Sequence, residues 1–450
     1  MKLTTTFFAF AALGALMFFT GTGQLSAQES GDEPLPAIMT IDDAVRIGLA
    51  RNLSIREAEI NLDNAGASVN SAFGRFLPRI GVNGGYSRNL SEGSTIIEGT
   101  QQQATKPADS YSASASASIV LFDGFSNTAS YSAAQKSYDA AEQNVEQALH
   151  QIRWNVRQTF LQALENKQIV DVRKAELETS REQLELVRGR VEGGIALIDA
   201  LYSQESEVAS AELALEQATT NYLVARNSLS TMLNYDPAYE YELSSAGLAE
   251  ILDSAVVAEN RKSLGSFEDL LARQISNRPD IQSLRFQAEA ADSRIVAANS
   301  SYFPTLSSSL GWSWSKSGPL SSSNAVLGFN ASWTLFNGFQ TSEQVQVAES
   351  QKMNAQINIR RLELEARSSL AGALARLEGA ERSLLAAEKA VRAARQSRFA
   401  ADERLKEGVG SYTDYLLANT RFVNARIQQV RSTFSYRAAL YEIEFLVGGR

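Results

Sequence analysis

Residues 302–339 read Tyr-Phe-Pro-Thr-Leu-Ser-Ser-Ser-Leu-Gly-Trp-Ser-Trp-Ser-Lys-Ser-Gly-Pro-Leu-Ser-Ser-Ser-Asn-Ala-Val-Leu-Gly-Phe-Asn-Ala-Ser-Trp-Thr-Leu-Phe-Asn-Gly-Phe. Two segments of this stretch alternate with a period of two. Leu306, Ser308, Leu310, Trp312 and Trp314 fall on one face, and Ser307, Ser309, Gly311, Ser313 and Ser315 on the other. After a polar turn from Lys316 to Asn324, Ala325, Leu327, Phe329, Ala331, Trp333 and Leu335 alternate with Val326, Gly328, Asn330, Ser332 and Thr334. Successive side chains of a pleated strand point to opposite faces. The pattern therefore predicts strands over about 305–316 and 325–336, each with one apolar and one small polar side. At roughly ten residues each, they have the length that a tilted strand needs to cross a bilayer core.

The rest of the 450-residue chain has a different character. It holds only 8 prolines and is rich in Ala, Gln, Glu, Leu and Arg, a composition that favours long helices. A net charge of −9 provides no basic footprint, so no nucleic acid is expected as a partner. The absence of cysteine excludes disulfides, thiolate metal sites and a lipid-carrying Cys. The single histidine, His150, has no second histidine with which to build a metal or base constellation and reads as a helix-face residue. No nucleophile–base pair, phosphate loop or ligand cluster stands out, so no catalytic residue, metal or cofactor is expected. At the amino end, Lys2, the apolar run Phe7 to Phe19 and Leu25-Ser26-Ala27 predict a signal peptide over residues 1–27. That run is shorter than the roughly 20 residues of a spanning helix. A polar, Pro-punctuated leader follows over 28–39.

From Thr40 onward the chain can be laid over its own second half. Thr40-Ile41-Asp42-Asp43-Ala44 answers Ser266-Phe267-Glu268-Asp269-Leu270, and Phe76-Leu77-Pro78 answers Tyr302-Phe303-Pro304. Leu121-Phe122-Asp123-Gly124-Phe125 answers Leu335-Phe336-Asn337-Gly338-Phe339, and Glu192-Gly193 to Asp199 answers Glu407-Gly408 to Asp414. Two copies of one architecture are expected, over 40–235 and 266–448, joined by a connector at 236–265. Pro78 and Pro304 start strands, because the residue before proline is pushed away from helix. Gly124 and Gly338 end them. In the first copy the strands are expected at about 79–89 and 110–121, with a loop over 90–109. The segment 128–191 then runs as one helix of ~95 Å at 1.5 Å per residue. Helices 54–76 and 196–233, stacked end to end, match its length, and 342–406 against 280–302 plus 411–447 repeats the arithmetic.

The helices alone are equally compatible with an antiparallel coiled coil, a non-channel structural protein of the periplasm. The strand hairpins oppose that reading. Four strands with an apolar outer face cannot close in lipid, where each unpaired backbone group costs several kcal/mol. Bacterial barrels need eight strands or more, so two or more chains must pool their sheets; two give a barrel that its interior side chains roughly fill, and three give twelve strands and room for a channel.

The doubled layout, the aromatic-Leu/Phe-Pro strand starts, the Leu-Phe-Asp/Asn-Gly-Phe exits and the Gly-x5-Asp turns together resemble the TolC family of outer-membrane efflux and secretion channels. The resemblance implies a mixed, mostly α fold in the cell outer membrane. It would be a homotrimer with a twelve-stranded β-barrel, four strands per chain, continued by a long periplasmic α-helical barrel. It further implies a periplasmic adaptor (membrane fusion) protein and, through it, an inner-membrane pump, with substrates leaving passively. In that family the hairpin tips meet the adaptor; here these are Gly193, Gly194 and Leu197, and Gly408, Gly410 and Ser411. Asp199 and Asp414 match positions where carboxylates face a periplasmic gate, and three copies of each would form an anionic ring. Either acid would equally suit the positive end of a helix dipole. Leu417, Gly410 and Leu405 stand where the family can carry a second acid, an arginine and a tyrosine.

Overall fold

The computed structural model describes residues 36–448 except 89, 91–92, 96–102, 106–108, 247, 249–253 and 319. The expected signal peptide lies outside the described residues, as do most of the leader and the centre of the 90–109 loop.

A short strand β1 (Ile38–Met39) precedes α1 (Ile41–Arg51) and α2 (Leu53–Gly74). The hairpin strands β2 (Arg79–Arg88) and β5 (Asp109–Phe122) enclose a small ribbon of β3 (Gly93–Thr95) and β4 (Gln103–Thr105). Helix α3 (Ser126–Glu192) runs for 67 residues and turns back into α4 (Ile198–Met232). After β6 (Glu242–Leu243), α5 (Ser254–Ser263), α6 (Phe267–Asn277) and α7 (Pro279–Asn299), the second hairpin is β7 (Thr305–Ser317) and β8 (Leu320–Ser332). Helix α8 (Gln340–Lys406), also 67 residues, then turns back into α9 (Tyr412–Val447).

Both halves begin with a side-chain cap. Thr40 accepts the Asp43 amide while Asp43 bonds back to the Thr40 backbone, and Ser266 accepts the Asp269 amide. Such caps satisfy donors that the first helical turn leaves free. The long helices follow from uninterrupted three- and four-residue spacing of apolar side chains. Ile152, Val156, Phe160, Leu164 and Ala163 are all buried along α3. Helix α3 packs on α2 and α4 along one side and on α7 and α9 along the other, while α8 packs on α7 and α9. The helices thus form a slab whose two outer margins are α2 with α4 and α8. One hydrophobic core lies where α5 meets α8 and α9, around Leu377, Leu384, Tyr436 and Ile443.

The sheet order is β2-β5-β7-β8, antiparallel throughout. Three local expectations are corrected. The strand expected at 325–336 runs instead from Leu320 to Ser332: Ser321, Ser322 and Ser323 pair with Lys316, Ser315 and Trp314, a ladder that polarity alone did not mark. The 90–109 loop contains the β3–β4 ribbon. The leader, expected to run through residue 39, ends in ordered structure, since Met39 is fully buried and β1 pairs in parallel with β6.

Candidate functional site

The cross-strand register assembles two continuous faces. Ile80, Val82 and Tyr86 stand opposite Ala117, Ala115 and Tyr111; Ala115 and Ala117 stand opposite Trp312 and Leu310; and these stand opposite Ala325 and Leu327. Directly paired residues share a face, so an apolar band crosses all four strands. The reverse face is Asn83 and Gly85, Ser112, Ser114 and Ser116, then Ser313 and Gly311, then Asn324 and Val326. The apolar face has no cover among the described residues: Ile80 is 79% exposed and Phe329 70%. Among the described residues, strands β2 and β8 each have one unpaired side.

The two strand exits share a backbone. Gly124 and Phe125 have φ of 66° and 72°, and Gly338 and Phe339 have 67° and 70°. The left-handed region suits glycine and is costly for phenylalanine. Each exit is held locally. The Asp123 carboxylate accepts the Asn127 amide at 2.9 Å, and Asn337 donates to the Thr341 hydroxyl at 2.8 Å. Pro78 and Pro304 immediately precede β2 and β7.

At the far end of the long helices, Gly194 and Gly408 both turn the chain with positive φ, 71° and 72°. The amides of Ile195 and Ala196 bond the Arg190 carbonyl; those of Val409 and Gly410 bond the Arg404 carbonyl. These bonds pair Gly194 with Gly408 and Leu197 with Ser411. The duplicate positions are therefore one residue out of step with the pairing of Gly193 and Gly408 that sequence suggests. Consequently Asp199 is the second residue of α4, whereas Asp414 is the third of α9. Both carboxylates are exposed. Asp199 accepts the Ala200 amide at 3.0 Å. Ser411 caps α9 by accepting the Thr413 amide, whereas Leu197 offers α4 no side-chain cap. Exposed apolar side chains crowd both tips: Ile195, Leu197 and Val409 are each about four-fifths exposed.

One tip residue escaped the sequence reading. Arg190 donates from Nη1 to the Leu405 carbonyl at 3.3 Å, joining the last turn of α3 to that of α8. An arginine four residues before each turning glycine was visible in the sequence, but which of the two reaches across was not. Behind the tips, burial raises the Tyr412 hydroxyl well above its ordinary range, and the charge of Glu207 adds to this. Burial likewise raises the Glu207 carboxyl, with Glu176 contributing. His150 sits half-buried on α3, its imidazole pushed down by burial and by Arg153.

A sheet that is greasy on one side and wet on the other, carried on paired 67-residue helices, defines a membrane-wall protein that spans by strands. Among the described residues no helix is long and apolar enough to cross a membrane. Comparison with known proteins agrees. Residues 45–235 and 270–449 match the family described as "Outer membrane efflux protein". The outer membrane efflux protein BepC of Brucella suis is 23% identical over 86% of this chain and 81% of its own. The pyoverdine export outer membrane protein OpmQ of Pseudomonas putida is 23% identical over 91% of this chain and 86% of its own. The CmeC outer membrane channel of Campylobacter jejuni superimposes with a TM-score of 0.76 at 18% identity, over 91% of this chain and 85% of that one. The chain belongs to the outer membrane efflux protein family. It is an outer-membrane channel component of an efflux or secretion system, located in the outer membrane with its helical part in the periplasm.

Proposed function

We propose that the working unit is a homotrimer, a twelve-stranded barrel continued by a helical tunnel, through which substrates leave passively and without catalysis. The observation that carries this reading is the pair of unfinished margins. Among the described residues the sheet ends in one open edge on β2 and one on β8. The slab ends in α8, with Met353, Ile357, Leu364 and Phe399 all more than half exposed, and in α4, with Leu213 and Val224 likewise exposed. The two margins differ, so joining one to the other is a head-to-tail contact that closes as a ring. Closure pairs the open strand edges and buries the apolar helix margins. The serine-rich face then lines water and the apolar face meets outer-membrane lipid. Native mass spectrometry of detergent-extracted protein should find three chains; a monomer would sink the reading.

The exposed apolar tips, centred on Gly193, Gly194, Leu197, Gly408, Gly410 and Ser411, are the proposed docking points for a periplasmic adaptor that leads to an inner-membrane pump. Photo-crosslinkers at Leu197 and Val409 should capture that adaptor in native membranes. Asp199 and Asp414, exposed beside the tips, are the proposed gate acids. Their replacement by alanine should raise conductance in planar bilayers, and unchanged conductance in both variants would remove them from the gate.

A further inference from the structure

A half-open cleft of about 520 Å³ lies in the helical slab between α3 and α9, with one wall from α8. Its floor is apolar: Val172 and Val423 pack with Ile427 where α3 crosses α9. Its rim carries two guanidinium groups. Arg398 reaches from α8 to lie 4.4 Å from the centroid of the Phe422 ring, and Arg426 makes no ion pair or hydrogen bond among the described residues. At one end lies Asn419, only 4% exposed, whose side-chain oxygen has no hydrogen-bond partner among the described residues. That oxygen is an acceptor and closed off, so an anion can meet this carboxamide only through its Nδ2–H. Of the two acids that line the cleft, Glu176 is tied to Arg173 at 2.7 Å, and among the described residues Asp171 forms no ion pair with either arginine.

We propose that this cleft is a binding site for an amphipathic organic anion, a carboxylate or sulfonate on an apolar body. The volume lies within the range of small-molecule sites. The apolar body would rest on Val172 and Val423 and against the face of Phe422. The acid would bridge Arg398 and Arg426, whose planar forks suit two oxygens. The Asn419 Nδ2–H would donate to the acid at the polar end, its carbonyl oxygen staying buried. Every residue that lines the cleft comes from one chain.

The test is calorimetric titration of the intact protein in lipid nanodiscs with naphthalene-2-sulfonate. The neutral naphthalene-2-methanol serves as the comparison, and native mass spectrometry of the same sample reports the number of chains. The sulfonate should bind at least about ten-fold more tightly than the alcohol, and Arg426→Ala should weaken it by about ten-fold. Asn419→Asp keeps the side-chain shape but sets a negative charge beside the acid, so it should weaken the sulfonate and leave the alcohol unchanged. Unaltered thermal unfolding confirms that each variant is folded. Equal affinity for sulfonate and alcohol, or sulfonate binding indifferent to both substitutions, would overturn the proposal whatever the number of chains.

Discussion

The two strand exits have nearly the same five residues and the same local structure but opposite surroundings. In each the second and last residues are phenylalanines with ring centroids 5.7 Å apart, edge to face. In each the glycine–phenylalanine pair sits in the left-handed region. Yet Gly124 is buried: a Cβ there would lie 2.7 Å from the Ser300 carbonyl oxygen and 2.8 Å from the Phe303 Cβ. At Gly338 an added Cβ would meet nothing within 4 Å, and Leu335, Phe336 and Phe339 are each more than three-quarters exposed. The first exit abuts the start of the second hairpin, so the same chain covers its glycine, while Phe125 stays 60% exposed. The second exit follows the edge strand β8 and waits for a neighbour. Local sequence sets a conformation twice, and position in the chain decides whether that conformation is covered.

The largest expected effect separates these exits. Gly124→Ala combines a left-handed backbone with a backbone clash and should cost about 2–5 kcal/mol. Gly338→Ala bears only the backbone cost, about 1–2 kcal/mol. Urea unfolding of both variants in lipid vesicles measures the gap; equal losses would mean that assembly covers Gly338 as tightly as the chain covers Gly124. Where both repeats face lipid, the contrast should vanish. Val82→Arg and Phe329→Arg, one on each hairpin's apolar face, should each cost about 2–4 kcal/mol, and Asn330→Arg on the polar face far less. The same unfolding assay reads all three.

At the tips the repeats part again. Of the two tip arginines, Arg190 donates to the other hairpin and Arg404 does not among the described residues, so Arg190→Ala should raise bilayer conductance several-fold, while Arg404→Ala should leave it near the starting value. Equal behaviour would show that the crossing bond does not hold the tips. Ser411→Ala removes a helix cap and should cost about 1 kcal/mol, whereas Leu197→Ser should restore a similar amount to the uncapped α4. The smallest effect depends on pH. Burial raises Glu207 above its ordinary 4.5, so the folded protein holds this proton more firmly than the unfolded chain. Stability due to this group is therefore present below pH 4.5 and lost as pH rises through the raised value. Glu207→Gln should raise the melting temperature at neutral pH and lose that advantage below pH 4.5; an equal gain at every pH would contradict the assignment to its charge.

Much of this was legible in one dimension. Alternation in 302–339 marked the strands because apolar and polar side chains must part to opposite faces. Freedom from proline marked the helices, and Gly194, Gly408 and the Gly-Phe pairs marked the breaks, since few residues tolerate positive φ. What eluded the pattern was small or distant. Ser321 to Ser323 belong to β8, but serines on both faces show no alternation. The one-residue offset between the tips, which separates Asp199 from Asp414 in helix position, is invisible without the carbonyls of Arg190 and Arg404. The cleft at Asn419 joins residues from three helices far apart in sequence, and no local pattern announces such a meeting.

By itself, then, the amino-acid order determined the periods, the breaks and the duplication, because steric limits on the backbone and the sidedness of strands and helices act over a few residues. Only the tertiary structure decided which duplicate is covered and which stays open, which arginine crosses between hairpins, and where unpaired polar groups gather. Those outcomes depend on which surfaces meet, and surfaces meet through packing between residues that are remote along the chain.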